Sequence, residues 1–96
     1  MFYEWNSAKA KVNLQKPGVS FDEAATVFLD PLAWTFPDPV HSGEEEREIT
    51  IGISAAHRVI FVSHCQRGRR MRIISARMAT GREREQYEEG IDKEIG

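Results

Sequence analysis

The sequence predicts an α+β domain: a small antiparallel β-sheet of three to four strands plus a short amino-terminal strand, packed with two amino-terminal helices and one carboxy-terminal helix. Three observations predict it. Apolar spacing is helical before residue 30, it changes to period two between 49 and 77, and a capping signature then opens a charged helical stretch. Strands grouped together, with helices before and after, belong to the α+β class rather than to alternating α/β. Neither a repeat nor a linker interrupts the pattern, so residues 1–96 read as one domain.

The elements follow in order. Phe2-Tyr3-Glu4-Trp5 is rich in aromatic strand formers and opens the chain as a short strand. Asn6 or Ser7 can cap a helix over about Ala8 to Lys16, which Pro17-Gly18 ends. Ser20-Phe21-Asp22-Glu23 is a capping box, and Phe21, Ala25 and Phe28 at i, i+4 and i+7 give the second helix one apolar face. Asp30-Pro31 closes that helix. Ala33 to Phe36 reads as a strand that Pro37 and Pro39 confine to a sheet edge. A polar loop over 40–46 leads to Ile49, Ile51 and Ile53, which alternate with Thr50, Gly52 and Ser54. The more continuous apolar run from Arg58 to His64 suits a central strand, and Met71 to Arg77 a third, joined to it by the hairpin segment Gln66-Arg67-Gly68-Arg69-Arg70. Thr80-Gly81-Arg82-Glu83 is the second capping box, and Tyr87, Ile91 and Ile95 supply a thin apolar stripe to the last helix.

A chain 41% hydrophobic and 29% charged is globular rather than disordered. No apolar run approaches the ~20 residues that span a bilayer. The amino end has no basic-then-apolar leader pattern, so a soluble cytoplasmic protein without a membrane association is expected. Cys65 is the single cysteine, and without a Cys/His set no disulfide, zinc site or other cofactor is expected. The net charge of -2 conceals an asymmetry. Between Arg58 and Arg84 lie eight arginines, opposed by Glu83 alone, while acidic residues dominate the flanking segments. Such an arginine segment suits phosphate; it equally suits a solvated face paired with the acidic flanks.

The stretches "EWNSAKAKVNLQK", "GVSFDEAATVFLDP", "DPVHSGEEEREITIG" and "RIISARMATGREREQYEEG" cover most of the chain, in order. Together they resemble the BrnT family, the toxin half of a bacterial type II toxin–antitoxin system. The resemblance implies a RelE-like fold and a ribonuclease that cuts RNA and stops translation. It also implies neutralisation by a BrnA-type antitoxin in a complex of two toxins and two antitoxins, with DNA contacted only through the antitoxin. One departure stands out: the family usually carries Lys-His-Gly where this chain has Lys16-Pro17-Gly18.

Metal-free RNA cleavage needs a base for the 2′-hydroxyl, cations for the crowded phosphate and an acid for the leaving 5′-oxygen. Arginine suits the second role, because its planar fork holds two phosphate oxygens and stays charged. The candidates are Arg77 with Arg72, and Arg47 as a third cation across the sheet. Five positions separate Arg72 from Arg77, so regular alternation would turn them to opposite faces. His41, which matches a family histidine, is a candidate for acid/base work or antitoxin contact, and Glu46 beside Arg47 is a candidate base or simply neutralises that arginine. Lys9, Asn13 and Lys16 share one helical face that can track an RNA backbone, and Arg69 and Arg70 extend the basic surface. His57 has no motif, His64 is expected as a satisfied edge histidine, and Tyr87 as core. The competing class is a non-catalytic module whose arginines bind nucleic acid or an acidic partner. At position 17 an imidazole would exchange protons near neutral pH, whereas proline has no side-chain donor or acceptor. If the family histidine is catalytic, this copy is attenuated; if it only ends the helix, proline replaces it at little cost.

Overall fold

The computed structural model describes residues 2–41, 43 and 45–95, with the side chains of these up to residue 91. Strand β1 (Phe2–Glu4) leads into α1 (Ser7–Gln15), which starts where the Asn6 side chain accepts the Lys9 amide at 3.0 Å. Helix α2 (Phe21–Thr26) runs into a 3₁₀ turn at Val27–Leu29. Strands β2 (Trp34–Pro37), β3 (Arg47–Ile53), β4 (Val59–Arg67) and β5 (Arg70–Met78) follow, and then α3 (Gly81–Ile95). The five strands form one sheet in the order β1-β5-β4-β3-β2. Strands β2 to β5 make an antiparallel meander, with β2 at the edge its prolines predict. The amino-terminal strand closes the other side by pairing parallel to β5.

One face of the sheet, here the back, carries α1 and α2. Val19, Phe21, Ala24 and Val27 pack there on Ile60, Val62, Ile73 and Ala76. Full burial of a side chain such as Phe21, 2% exposed, contributes roughly 1.5–3 kcal/mol. The helices are also tied by polar groups. Asn13 is buried and its Nδ2 donates to the carbonyls of Val19 (2.7 Å) and Ala76 (2.8 Å), while its Oδ1 accepts the Ala76 amide at 3.2 Å. Gly52 lets the 3₁₀ turn approach β3, since a Cβ there would lie 2.9 Å from both Val27 Cγ1 and Ala33 Cβ.

The front face is only partly covered. Helix α3 docks on Ile49 and Ile51 through Tyr87, with Ile91 beside it. The Ile95 of the predicted stripe lies outside the described side chains. Burial would raise the Asp30 carboxyl, but bonds from the Ile53 amide (2.9 Å) and the Tyr87 hydroxyl outweigh it and hold it below its usual value. Burial, and then the bond to Asp30, push the Tyr87 phenol up.

Local expectations met three corrections. The Ser20 cap forms as predicted, with its hydroxyl accepting the Glu23 amide at 3.0 Å. Glu23 does not reach back, however. Its carboxylate instead binds Arg58 through both oxygens and accepts Ser54 Oγ at 2.7 Å, because the β3–β4 turn offers a charged guanidinium fork and a hydroxyl. The Thr80 box does close reciprocally, with bonds of 2.9 and 3.2 Å. His64, expected at an edge, is 1% exposed in the core. Its Nε2 meets Thr50 Oγ1 at 2.7 Å, its ring abuts Phe28 edge-on, and its Nδ1 has no protein partner among the described residues.

The third correction concerns the register. Ser63 pairs with Ser75, but His64 pairs with Ile73, so β5 carries one extra residue, Ile74. A bulge of this kind shifts the alternation by one on its far side. Arg72 and Arg77 therefore share a face.

Candidate functional site

Direct cross-strand partners point to the same side, so the register maps the front face row by row. Trp34, Ile51, Phe61 and Arg77 form the row under α3. Phe36, Ile49, Ser63 and Ser75 form the next. Arg47, Cys65, Arg72 and Glu4 form the third, which extends across four strands. Arg67, Arg70 and Phe2 lie beyond it, at the hairpin end. Strand spacings put the backbones of Arg47 and Arg72 about 10 Å apart. Four paired positions along β4 separate the rows of Arg72 and Arg77 by about 14 Å. Three arginines thus border a patch whose centre holds the hydroxyl-bearing Ser63 and Ser75.

Their surroundings differ. Arg77 lies with its guanidinium 3.8 Å from the Phe61 ring centre and donates to both oxygens of Glu83, at 2.7 and 3.0 Å. Arg77 holds the Glu83 carboxyl below its usual value, against the opposing effect of burial. Arg72 Nη1 donates to Glu4 at 3.1 Å, the one side-chain bond it makes among the described residues. Arg47 is half-buried at the start of β3, and its carbonyl accepts the Asp38 amide at 2.9 Å. Glu45 pairs with Arg67 and accepts from Cys65 Sγ at 3.4 Å; the Arg67 bond, then the Cys65 bond, lower its carboxyl. Burial, and then the Glu45 contact, push the Cys65 thiol up, away from the reactive thiolate.

The other predicted residues divide. His41 lines a shallow 280 Å³ hollow with Gly43, Glu45 and Arg47, so the structure brings it to the third row. Its Nδ1 lies 3.0 Å from Asp38 Oδ2. Glu46, just before β3, is exposed and makes no hydrogen bond among the described residues. Arg69 and Arg70 sit exposed at the β4–β5 hairpin, where Gly68 takes φ 58 in the two-residue turn, and neither forms an ion pair among the described residues. Lys9 and Lys16 border a separate groove of about 470 Å³ with Val12, Pro17 and Ile74. Asn13, predicted to share their exposed face, is instead spent on backbone groups of the fold. The inserted Ile74 thus floors the lysine groove while its insertion turns both arginines to the front. Gly18, at φ 76, donates to the Asn13 carbonyl at 3.1 Å and ends α1, leaving Pro17 exposed on the groove.

A family model described as "Ribonuclease toxin, BrnT, of type II toxin-antitoxin system" matches residues 5–83. The chain belongs to the BrnT family. The crystal structure of the ribonuclease toxin BrnT of Brucella abortus has the same fold, with a TM-score of 0.65. The two chains are 23% identical, and the match covers 83% of this chain and 99% of that one. No protein with a curated description matches the sequence. This BrnT-family chain is accordingly a toxin of a type II toxin–antitoxin system, a class that implies an antitoxin partner.

Within the BrnT-family fold, sequence reasoning missed Ser63 and Ser75 at the centre of the arginine patch, because the register that opposes them is not a local property. It also gave Glu83 only its capping-box role, without the link to Arg77. The signal was present: the last residue of a capping box follows Arg77 by six positions, within reach of a strand-end arginine. Among the described residues no cluster of three or more His, Cys, Asp or Glu side chains has metal-holding geometry. No described helix is long and apolar enough to cross a membrane.

Proposed function

We propose that this toxin is an RNA endonuclease working through its own side chains, with the front-face arginine patch as its site. The 2′-hydroxyl oxygen attacks the adjacent phosphorus while a base takes its proton. The bond to the 5′-oxygen breaks, an acid protonates that oxygen, and a 2′,3′-cyclic phosphate remains. Arg72, Arg77 and Arg47 are the groups that would stabilise the charge on the crowded phosphate. His41 and Glu46 are the acid/base candidates, and Lys9, Lys16, Arg69 and Arg70 are the candidates for guiding the flanking RNA backbone. The single observation that supports this reading is the convergence of Arg47, Arg72 and Arg77 on one face, produced by the Ile74 bulge.

The partner in this reading is a BrnA-type antitoxin, in an assembly of two toxins and two antitoxins acting in the cytoplasm. It covers the basic face, competes with RNA, and alone contacts DNA. Where the family histidine takes part in proton transfer, proline at position 17 attenuates the activity, because it offers no side-chain donor or acceptor. The test is cleavage of RNA by purified protein with chelator present. Cleavage should persist with chelator and fall by about 10²-fold or more in Arg72→Ala and in Arg77→Ala. Loss of cleavage on chelation, or full cleavage by both variants, overturns the reading. RNA binding without cutting would favour the non-catalytic module.

A further inference from the structure

Arg77 presents its fork to a partner that is already part of the chain. A guanidinium has five N–H donors, arranged so that two of them match the oxygens of a carboxylate or a phosphate. In Arg77 three are committed: Nη1 to Glu83 Oε1 and to the Met78 carbonyl (3.2 Å), and Nη2 to Glu83 Oε2. Phe61 covers one face of the group. Glu83 is fixed independently of this contact, because its Oε1 also caps the Thr80 amide at the start of α3. The carboxylate therefore stands where the two oxygens of a phosphate would bind, yet the Arg77 side chain remains 43% exposed to an incoming group. Arg72 is different. Among the described residues its fork makes one bond, to Glu4, and the other side-chain donors have no partner.

We propose that Glu83 is a built-in stand-in for an RNA phosphate: it holds the Arg77 fork aligned in the free toxin and competes with RNA for it. The inference rests on the reading that the front face binds RNA. RNA then engages Arg72 without displacement and Arg77 only by displacing Glu83, so the row under α3 is the gated end of the site. Glu83 acts here as a positioning residue; it makes no covalent step.

The test is a binding cycle with a 2′-O-methyl oligoribonucleotide, which has no free 2′-hydroxyl to attack, measured over a range of salt concentrations. The proteins are the parent chain, Glu83→Gln, Arg77→Ala and the double variant. Glutamine keeps the oxygen that caps Thr80 but loses the charge. Glu83→Gln should bind about three- to five-fold tighter, the scale of a half-exposed ion pair no longer competing. Its log–log salt slope should steepen by about 0.7, the mark of one more phosphate neutralised on a single strand. Both changes should vanish in the Arg77→Ala background. Equal tightening in that background means that Glu83 acts only through the general field, and overturns the proposal. So does unchanged or weaker binding by a folded Glu83→Gln while the parent protein binds. If Glu83→Gln fails to fold, Glu83→Asp draws the carboxylate back from Arg77 while keeping its charge; it should tighten binding by a smaller factor, and no tightening refutes the proposal. Absence of RNA binding by all of these proteins overturns the functional reading itself.

Discussion

Replacing Asn13 decides whether that residue serves substrate or fold. Its two amide hydrogens are directed at the carbonyls of Val19 and Ala76, and its oxygen holds the Ala76 amide. Asn13→Ala leaves three backbone groups without their partner, in surroundings where Asn13 is 7% exposed. An orphaned buried polar group costs about 1–3 kcal/mol, and the groups of Ala76 near the sheet edge can recover part of this from water. A loss of roughly 3 kcal/mol is expected. That is a large share of the 5–15 kcal/mol that holds a typical domain. Asn13→Asp should be worse at neutral pH, since a carboxylate would face two carbonyl oxygens with no hydrogen to offer. Burial raises the pKa of such a group above the ordinary value near 3.9, so its excess penalty relative to the parent should shrink as pH falls and the carboxyl regains a donor. Urea denaturation of the parent protein and both variants, at pH 7 and pH 5, measures these differences. RNA affinity per folded molecule should stay unchanged in Asn13→Ala. A destabilisation below about 0.5 kcal/mol, or Asn13→Asp as stable as the parent at pH 7, would refute the reasoning.

Two further outcomes are expected. Burial lowers the His64 pKa from 6.5 to about 4, so the fold favours the neutral ring. Stability should be whole above pH 6.5 and fall as pH drops toward 4, because the unfolded chain takes up the proton first; at about 1.4 kcal/mol per pH unit the full loss is roughly 3 kcal/mol. Denaturation midpoints followed over that window check this, and an undiminished acid slope in His64→Gln would assign the loss to other groups. Pro17→His places an imidazole on the exposed groove beside Lys16 and Ile74. It should arrest growth of cells lacking antitoxin more strongly than the parent chain, and unchanged growth would remove the attenuation argument.

Much of this fold is legible in local chemistry. Asn6, Ser20 and Thr80 start helices because a short side-chain oxygen satisfies an amide that the first turn leaves unpaired. Ile49 and Ile51 announce a strand by period two, and Gly18 ends α1 by taking a positive φ. The place of Arg72 and Arg77 in an arginine-rich segment is likewise written in composition. These signals depend on neighbours a few residues away, which a linear reading contains.

What tertiary structure alone decided was direction and partnership. Asn13 looks like part of a polar helix face until strand β5 is laid against it, 63 residues later. Glu23 looks like the second half of a capping box until Arg58 arrives to take both of its oxygens. His64 looks terminal until β3 and β5 flank it and Phe28 of the helical layer covers it. Most consequential is Ile74, an ordinary strand residue by type, whose place as an unpaired insertion is set by the register between β4 and β5. The chain's own residues determined that it would carry arginines on a strand. Pairing across the sheet determined that two of them face the same side, because a bulge is a property of two strands and cannot be read from one.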